Sequence, residues 1–281
     1  MNSIVPHNLN ELANTLASLS TTTKILAGGT DLIIQINCAE IGPATLLFIG
    51  EIPELRMIDV TADSVFVGSA ATMTEISEST AFPPCMAALQ EAAGSVGSLQ
   101  VRNRATIGGN VANASPAGDL YGVLCLLNAA VMLFNKDGSL SEMKAVEFAK
   151  GPGQINLLSD QIIYGFRIPV RDHITHFKKL GSRSKVTIAR IDFEMGMKIN
   201  ESGIIEDAEI WTSAAFPKPV CFPETAHKIQ GRHINESILP MIISNDISGA
   251  ILSQNRSSGA YKSYAIKGLV EDVLWMFKEN N

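Results

Sequence analysis

The period of the hydrophobic positions changes repeatedly along this chain, and those changes divide it into elements. Leu9, Leu12, Ala13, Leu16 and Leu19 recur at helical spacing behind Asn8, a residue suited to capping, so a helix is expected there. Residues 24–27 are a short apolar run that reads as a strand, after which Leu32, Ile33 and Ile36 resume a helical pattern. Residues 45–49 read as another strand, and residues 56–60 and 65–68 as a hairpin around Thr61-Ala62-Asp63-Ser64. Thr74 is expected to cap a short helix, and Pro83-Pro84 to open a longer one with Met86, Leu89, Ala93 and Val96 on one face. Residues 120–127 are apolar on every side and predict a buried helix.

In the second half, residues 131–134 and 140–144 pair across Asn135-Lys136-Asp137-Gly138, because Asp-Gly supplies the positive φ such a turn needs. Gly151-Pro152-Gly153 is a loop, and residues 161–168 form a strand closed by Pro169. Residues 176–181, 195–200 and 204–212 read as strands, with a turn at Glu201-Ser202-Gly203. The remainder is mainly helical: residues 223–229, then 238–252 with a break near Asn245, then a closing helix from about Gly259. Tyr261, Tyr264, Leu269, Val273 and Phe277 are its expected apolar face. This order predicts an α+β fold: a small βα unit, a larger antiparallel sheet, then a second domain of antiparallel strands plus helices. Pro169-Val170-Arg171-Asp172-His173 is the expected boundary, giving domains at 1–172 and 173–281.

With 281 residues, 46% hydrophobic and 18% charged, the chain can bury a substantial core. Its net charge of −6, without any basic run, argues against a nucleic-acid surface. No secretory leader pattern and no uncharged apolar run of membrane-spanning length occurs, so a cytoplasmic protein is expected. Cys38, Cys85, Cys125 and Cys221 lie far apart and suit buried reduced thiols better than a zinc or iron–sulfur site. The five histidines are scattered, and neither a Gly-x-Ser-x-Gly elbow nor paired acids is apparent.

Two stretches carry the candidate chemistry. Gly28-Gly29-Thr30-Asp31 stands between a strand and a helix, an arrangement that leaves backbone N–H groups free to meet an anion. It is neither a P-loop nor the three-glycine dinucleotide fingerprint, and a tight turn fits it as well. The second stretch, residues 102–119, holds Arg102, Arg104, Gly108-Gly109, Asn110, Asn113 and Asp119, with Ser115-Pro116 reading as a helix start. Two glycine-pair loops suit a pyrophosphate gripped from two sides. Lys178, Lys179 and Arg183 read either as a phosphate-neutralising cluster or as a solvated basic loop.

Ala27-Gly28-Gly29-Thr30-Asp31-Leu32, then residues 100–110 (Gln-Val-Arg-Asn-Arg-Ala-Thr-Ile-Gly-Gly-Asn), then Ala114-Ser115-Pro116-Ala117-Gly118-Asp119, resemble the FAD-binding medium subunit of the molybdenum hydroxylases, the xanthine dehydrogenase and carbon monoxide dehydrogenase family. Gly151-Pro152-Gly153 and residues 256–262 extend the resemblance along essentially the whole chain. It implies a vanillyl-alcohol-oxidase-type FAD-binding domain followed by a smaller C-terminal domain. It also implies backbone contacts to the FAD pyrophosphate from Ile25, Leu26, Ala27, Gly28, Gly29, Thr30, Asp31 and Leu32, and from Thr106, Ile107, Gly108, Gly109 and Asn110. Asp119 would hydrogen-bond the cofactor, Ile163 would touch the flavin or adenine, and Lys179 would stand on the cofactor side.

Val96 occupies a position where some relatives carry an aromatic ring, and Ser184-Lys185-Val186 lacks the acid that many carry after the matching arginine. Neither glycine stretch holds a His or Cys that could attach flavin, so non-covalent FAD is implied. The resemblance further implies an electron relay. A molybdenum–pterin large subunit oxidises substrate, a small subunit with [2Fe-2S] clusters carries the electrons, and FAD here passes them to NAD⁺ or another acceptor. Arg102 and Arg104 are then structural or partner-facing. A self-contained FAD oxidase or dehydrogenase of the same superfamily and a non-catalytic nucleotide-binding assembly subunit are the alternatives.

Overall fold

The computed structural model describes residues 1–183 and 186–279; Ser184 and Lys185, and with them part of the segment expected to lack the acceptor-side acid, lie outside the described residues. The chain opens with β1 (Asn2–Ile4), α1 (Leu9–Leu16), β2 (Thr23–Leu26), α2 (Leu32–Asn37) and β3 (Thr45–Phe48), whose strands form a parallel sheet in the order β1-β3-β2. Asn8 caps α1 as expected, its side chain accepting from the Glu11 N–H at 2.9 Å. Next come α3 (Pro53–Arg56), β4 (Ile58–Val60), β5 (Ser64–Gly68), α4 (Met73–Ser77), α5 (Ala87–Ser95) behind a 3₁₀ turn, α6 (Leu99–Arg102), α7 (Ile107–Asn113) and α8 (Asp119–Leu126). The strands β6 (Ala130–Asn135) and β7 (Leu140–Lys144) turn at Gly138, where φ is +81°. After α9 (Ala145–Phe148) and the small ribbon of β8 (Ala149–Gly151) and β9 (Gln154–Ile155), β10 (Gln161–Pro169) runs between β5 and β6. The result is an antiparallel sheet in the order β4-β5-β10-β6-β7.

A third sheet follows in the order β11 (Ile174–Gly181), β12 (Ala189–Ile199), β13 (Ile205–Thr212) and β14 (Val220–Cys221), all antiparallel. The helices α10 (Pro223–Ile229), α11 (Leu239–Leu252) and α12 (Gly259–Glu279) cover one face of it. Ile191, Phe193, Met195 and Met197 point from β12 into that layer, while the alternate residues point the other way, towards α8. Every residue of α8 is buried, so this helix is the pillar on which the second and third sheets meet. The α+β fold read from the sequence is the one observed.

Several local expectations are corrected. Thr72, not Thr74, caps α4: its hydroxyl accepts from the Glu75 N–H, and the Glu75 carboxylate accepts from the Thr72 N–H at 2.7 Å. Thr74 instead donates to Asn103 Oδ1 at 2.7 Å. The pair Gly108-Gly109 is not a loop but the first turn of α7, capped by Thr106. Ser115-Pro116 forms a turn, and the next helix starts only at Asp119. Helix α11 runs unbroken past Asn245, which faces solvent while Ile243, Ile247 and Ile251 hold the buried stripe. Tyr261 and Tyr264 lie on the solvent side of α12, at 46% and 77% exposure, because the stripe Ile266, Leu269, Val270, Val273 and Phe277 turns them outward. Only Cys85 and Cys125 are buried; Cys38 and Cys221 are exposed.

Candidate functional site

The β2–α2 connection is organised by its glycines. Gly29 takes φ +74°, a left-handed conformation that L side chains rarely adopt. Gly28 lets two backbones touch, since a Cβ there would lie 2.0 Å from the Arg104 carbonyl oxygen. Among the described residues, none of the backbone N–H groups from Gly28 to Leu32 finds an acceptor. They edge a cavity of about 370 Å³ whose walls include residues 24–32, Val96, Val101, Thr106, Gly109 and Asn110. Among the described residues its charged wall residues are Lys24 and Asp31, which offset each other, so a phosphate would be met chiefly by peptide dipoles.

The second glycine stretch has a different part from the one expected. Its backbone donors are taken within the protein: Ile107 N–H by Ala71 O (3.1 Å), Gly108 N–H by Ser69 O (2.8 Å), Gly109 N–H by Thr106 Oγ1 (3.2 Å) and Asn110 N–H by Thr106 O (3.0 Å). Ile107 is core, and Gly108 is small because a Cβ would fall 2.6 Å from Ser69 Cβ. The cavity meets this segment at Thr106, Gly109 and Asn110, and Asn110 Oδ1 is buried with no hydrogen-bond partner among the described residues.

The six residues from Val96 to Val101 separate this cavity from a larger one of about 830 Å³. Among the described residues, four cations line the larger space, Arg102, Lys178, Lys179 and Arg183, against one acid, Glu91. Arg102, read above as structural or partner-facing, is structural and also stands on this wall, donating to the carbonyls of Gly97 (3.2 Å) and Val96 (3.4 Å). Lys179 is nearly buried and forms an ion pair with Asp119. Burial raises the Asp119 carboxyl above its usual range, and the Lys179 ammonium only partly offsets this. Asp119 and Ile163 line neither cavity: Asp119 stands behind Lys179, and Ile163 sits in the main core opposite Leu133.

Contrary to the sequence reading, paired acids are present. Asp192 and Glu194 lie on the α8 side of β12 and are fully buried. Asp192 Oδ1 accepts from the N–H groups of Ser213 (2.6 Å) and Ala214 (2.9 Å), and Glu194 Oε1 from the Ser213 hydroxyl (2.9 Å). Burial pushes Asp192 up to about 7, with Asp119 adding to the rise, and pushes Glu194 well above the carboxylate range, helped by Asp192. The folded chain therefore holds protons that the unfolded chain releases above about pH 4. Stability is expected to fall as pH rises from there through about 7. Thermal melts of wild type and Asp192→Asn across that range check this: the variant's Tm should depend on pH less steeply, and parallel curves would remove Asp192 from the account.

The free N–H groups, Gly109 on the cavity wall, the unpartnered Asn110 oxygen and two adjoining cavities fit a ligand with a pyrophosphate and two ring systems, such as FAD. A family model described as the FAD binding domain in molybdopterin dehydrogenase matches residues 1–171. The glyceraldehyde dehydrogenase medium chain of Sulfolobus acidocaldarius is 30% identical over 261 residues, which cover 92% of this chain and 90% of that protein. The nicotinate dehydrogenase FAD-subunit of Eubacterium barkeri is also 30% identical, covering 89% and 86%. In fold, a chain of the carbon monoxide dehydrogenase from Hydrogenophaga pseudoflava superposes with a TM-score of 0.85 at 21% identity, covering 98% of this chain and 97% of that one. This is an FAD-binding oxidoreductase chain. It belongs to the molybdenum hydroxylase family, as the FAD-binding subunit. Among the described residues, no helix is long and apolar enough to cross a membrane.

Proposed function

We propose that this chain holds FAD non-covalently across both cavities and serves as the electron-passing subunit of a molybdenum hydroxylase. In this reading the pyrophosphate rests on the N–H groups of Gly28 to Leu32, with Ile25, Leu26, Ala27, Val96, Thr106, Gly109 and Asn110 walling the smaller cavity. The flavin ring occupies the larger cavity beside Lys179, which Asp119 holds in place. Ile107, Gly108 and Ile163 support the site from the core. The domains divide at 172/173, in keeping with the gap between β10 and β11. The observation that carries the reading is the run of unclaimed backbone donors at the edge of the smaller cavity.

Bound FAD supplies the electron-pair chemistry. The chain's own groups bind it, orient it and set the field around it. The cationic excess on the larger wall favours negative charge there, and so favours the reduced state of a ring in that cavity. The chain would take electrons from the [2Fe-2S] clusters of a small partner subunit, fed by a molybdenum–pterin large subunit, and pass them to NAD⁺ or another acceptor. The names of two relatives, a medium chain and an FAD-subunit, support such a division of labour.

The visible spectrum of the purified chain tests the cofactor assignment. An oxidised-flavin band is expected, and a colourless protein that cannot be reconstituted with FAD would overturn it. Co-purification with iron–sulfur and molybdenum subunits separates this reading from a self-contained oxidase. Gly109→Val is expected to lower FAD affinity by about 100-fold, roughly 2.7 kcal/mol. Its side chain enters the smaller cavity, and its Cβ starts only 3.0 Å from Thr106 Oγ1. Equilibrium titration of the apo-variant with FAD measures this, and an unchanged affinity would remove Gly109 from the site.

A further inference from the structure

We propose that Asp192, Glu194 and Asp119 form a proton-sharing network behind the wall of the larger cavity, taking up one proton when negative charge enters that cavity and releasing it when the charge leaves. The proposal rests on the reading of that cavity as the flavin's. It begins with strand geometry: Asp192 and Glu194 share one face of β12, and Lys179 is the cross-strand neighbour of Asp192. The side chain of Lys179 thus belongs to the cavity wall, to the ion pair with Asp119 and to the row of acids at once.

Each of the three carboxyl groups also has one buried oxygen without a hydrogen-bond partner among the described residues: Asp119 Oδ1, Asp192 Oδ2 and Glu194 Oε2. Asp119, only 6% exposed and on a different element, α8, is linked to the pair through Lys179, its ion-pair partner and the cross-strand neighbour of Asp192, and its charge raises both acids. An ionised carboxylate with an unpaired buried oxygen is costly, whereas a proton on one carboxyl supplies a donor to such a group. These groups are not disposed to hold a metal, since no cluster among the described residues has that geometry.

The surrounding charges leave room for one proton. Around the acids stand Cys125 from α8, kept neutral by burial and acted on by Glu194 and Lys218, Lys179 from β11, and Lys262 from α12, whose Nζ donates to Ala214 O at 2.8 Å and which feels Asp192 and Arg256. Arg190, further along β12, lies over the Tyr261 ring instead. Glu194, held well above the carboxylate range, already carries one proton near neutral pH, so Asp192, pushed up to about 7 and opposite Lys179 on the neighbouring strand, is the group that takes the next one.

Reductive titration of the FAD-loaded full chain with dithionite tests this, with the flavin potential followed against pH and reduced-minus-oxidised infrared spectra recorded. Two electrons and one proton go to the flavin, and one further proton goes from solvent to the network. Wild type should therefore show two protons per electron pair over the neutral range, and a carboxyl C=O band that gains intensity on reduction. In Asp192→Asn/Glu194→Gln the slope should drop to one proton per pair and the band should vanish. A wild-type slope of one proton, no carboxyl band, or a variant identical to wild type overturns the network while leaving the flavin assignment standing. If the double variant does not fold, the wild-type carboxyl band decides alone, because a ring that itself takes a second proton also gives a slope of two. A chain that never binds FAD overturns both.

Discussion

Gly28→Ala is expected to lower the melting temperature and to weaken flavin binding. The added methyl would stand 2.0 Å from the Arg104 oxygen and 2.8 Å from its carbonyl carbon. Neither side can yield locally. Ala105 is tied by its N–H to Val101 O (2.7 Å) and by its carbonyl to the Met73 N–H (2.9 Å), so the β2–α2 loop must move away. Overpacking against backbone costs about 1–3 kcal/mol, and if half of that falls on the bound state FAD affinity drops about two- to twelvefold. Calorimetry together with flavin-to-protein absorbance ratios measures both effects. Gly42→Ala is the control, since nothing lies within 4 Å of its Cβ position. A Gly28→Ala protein with wild-type Tm and full flavin would show that the two segments are not in contact in solution.

The largest stability loss should come from Gly122→Ala, in the middle of α8. There a Cβ would fall 1.9 Å from Ser213 Oγ and 2.3 Å from Glu194 Oε1. The helix cannot retreat, because it is buried on all sides. The serine must swing away, and Glu194 then loses the hydroxyl that hydrogen-bonds its side chain. Overpacking and a stranded buried polar group each cost about 1–3 kcal/mol, so a total of about 3 kcal/mol and a Tm drop on the order of 5–10 °C are expected. Gly122→Ala/Ser213→Ala should recover part of the loss, as it removes one of the two clashing atoms. A single variant that melts with wild type would mean that β12 and α8 are further apart than described.

What was legible in the sequence was mostly what is decided locally. The Asn8 cap and the Asp137-Gly138 turn depend on neighbours within four residues, and both are found. The box around Thr72 is equally local, since Thr72 and Glu75 have the required spacing, but Thr74 two residues on offers a competing hydroxyl that in the fold goes to Asn103. The second glycine pair could not be read that way. Gly108 is needed where α7 presses on Ser69, a contact between segments far apart in sequence, so its loop-like composition misled. Of the candidate site, the Gly28-Gly29 loop, Val96, Gly109, Asn110 and Lys179 do reach the cavities. The acids of β12 were hidden because the strand was expected to start at Met195. With its true start at Ala189, the alternation in Ile191-Asp192-Phe193-Glu194-Met195 would have exposed them.

The four glycines of the two stretches divide the work in a way that bears on how mutants of this subunit are interpreted. Gly28 and Gly108 are small so that protein can touch protein, Gly29 so that the chain can turn, and of the four Gly109 alone lines the cavity with neither a left-handed φ nor backbone at its Cβ position, which meets only the Thr106 hydroxyl at 3.0 Å. A scan scored by colour alone would rank all four as cofactor contacts, since each loss bleaches the protein. Scored by melting temperature of the apoprotein, Gly28 and Gly108 would separate from Gly109, and a map of the cradle would become distinguishable from a map of the scaffold beneath it.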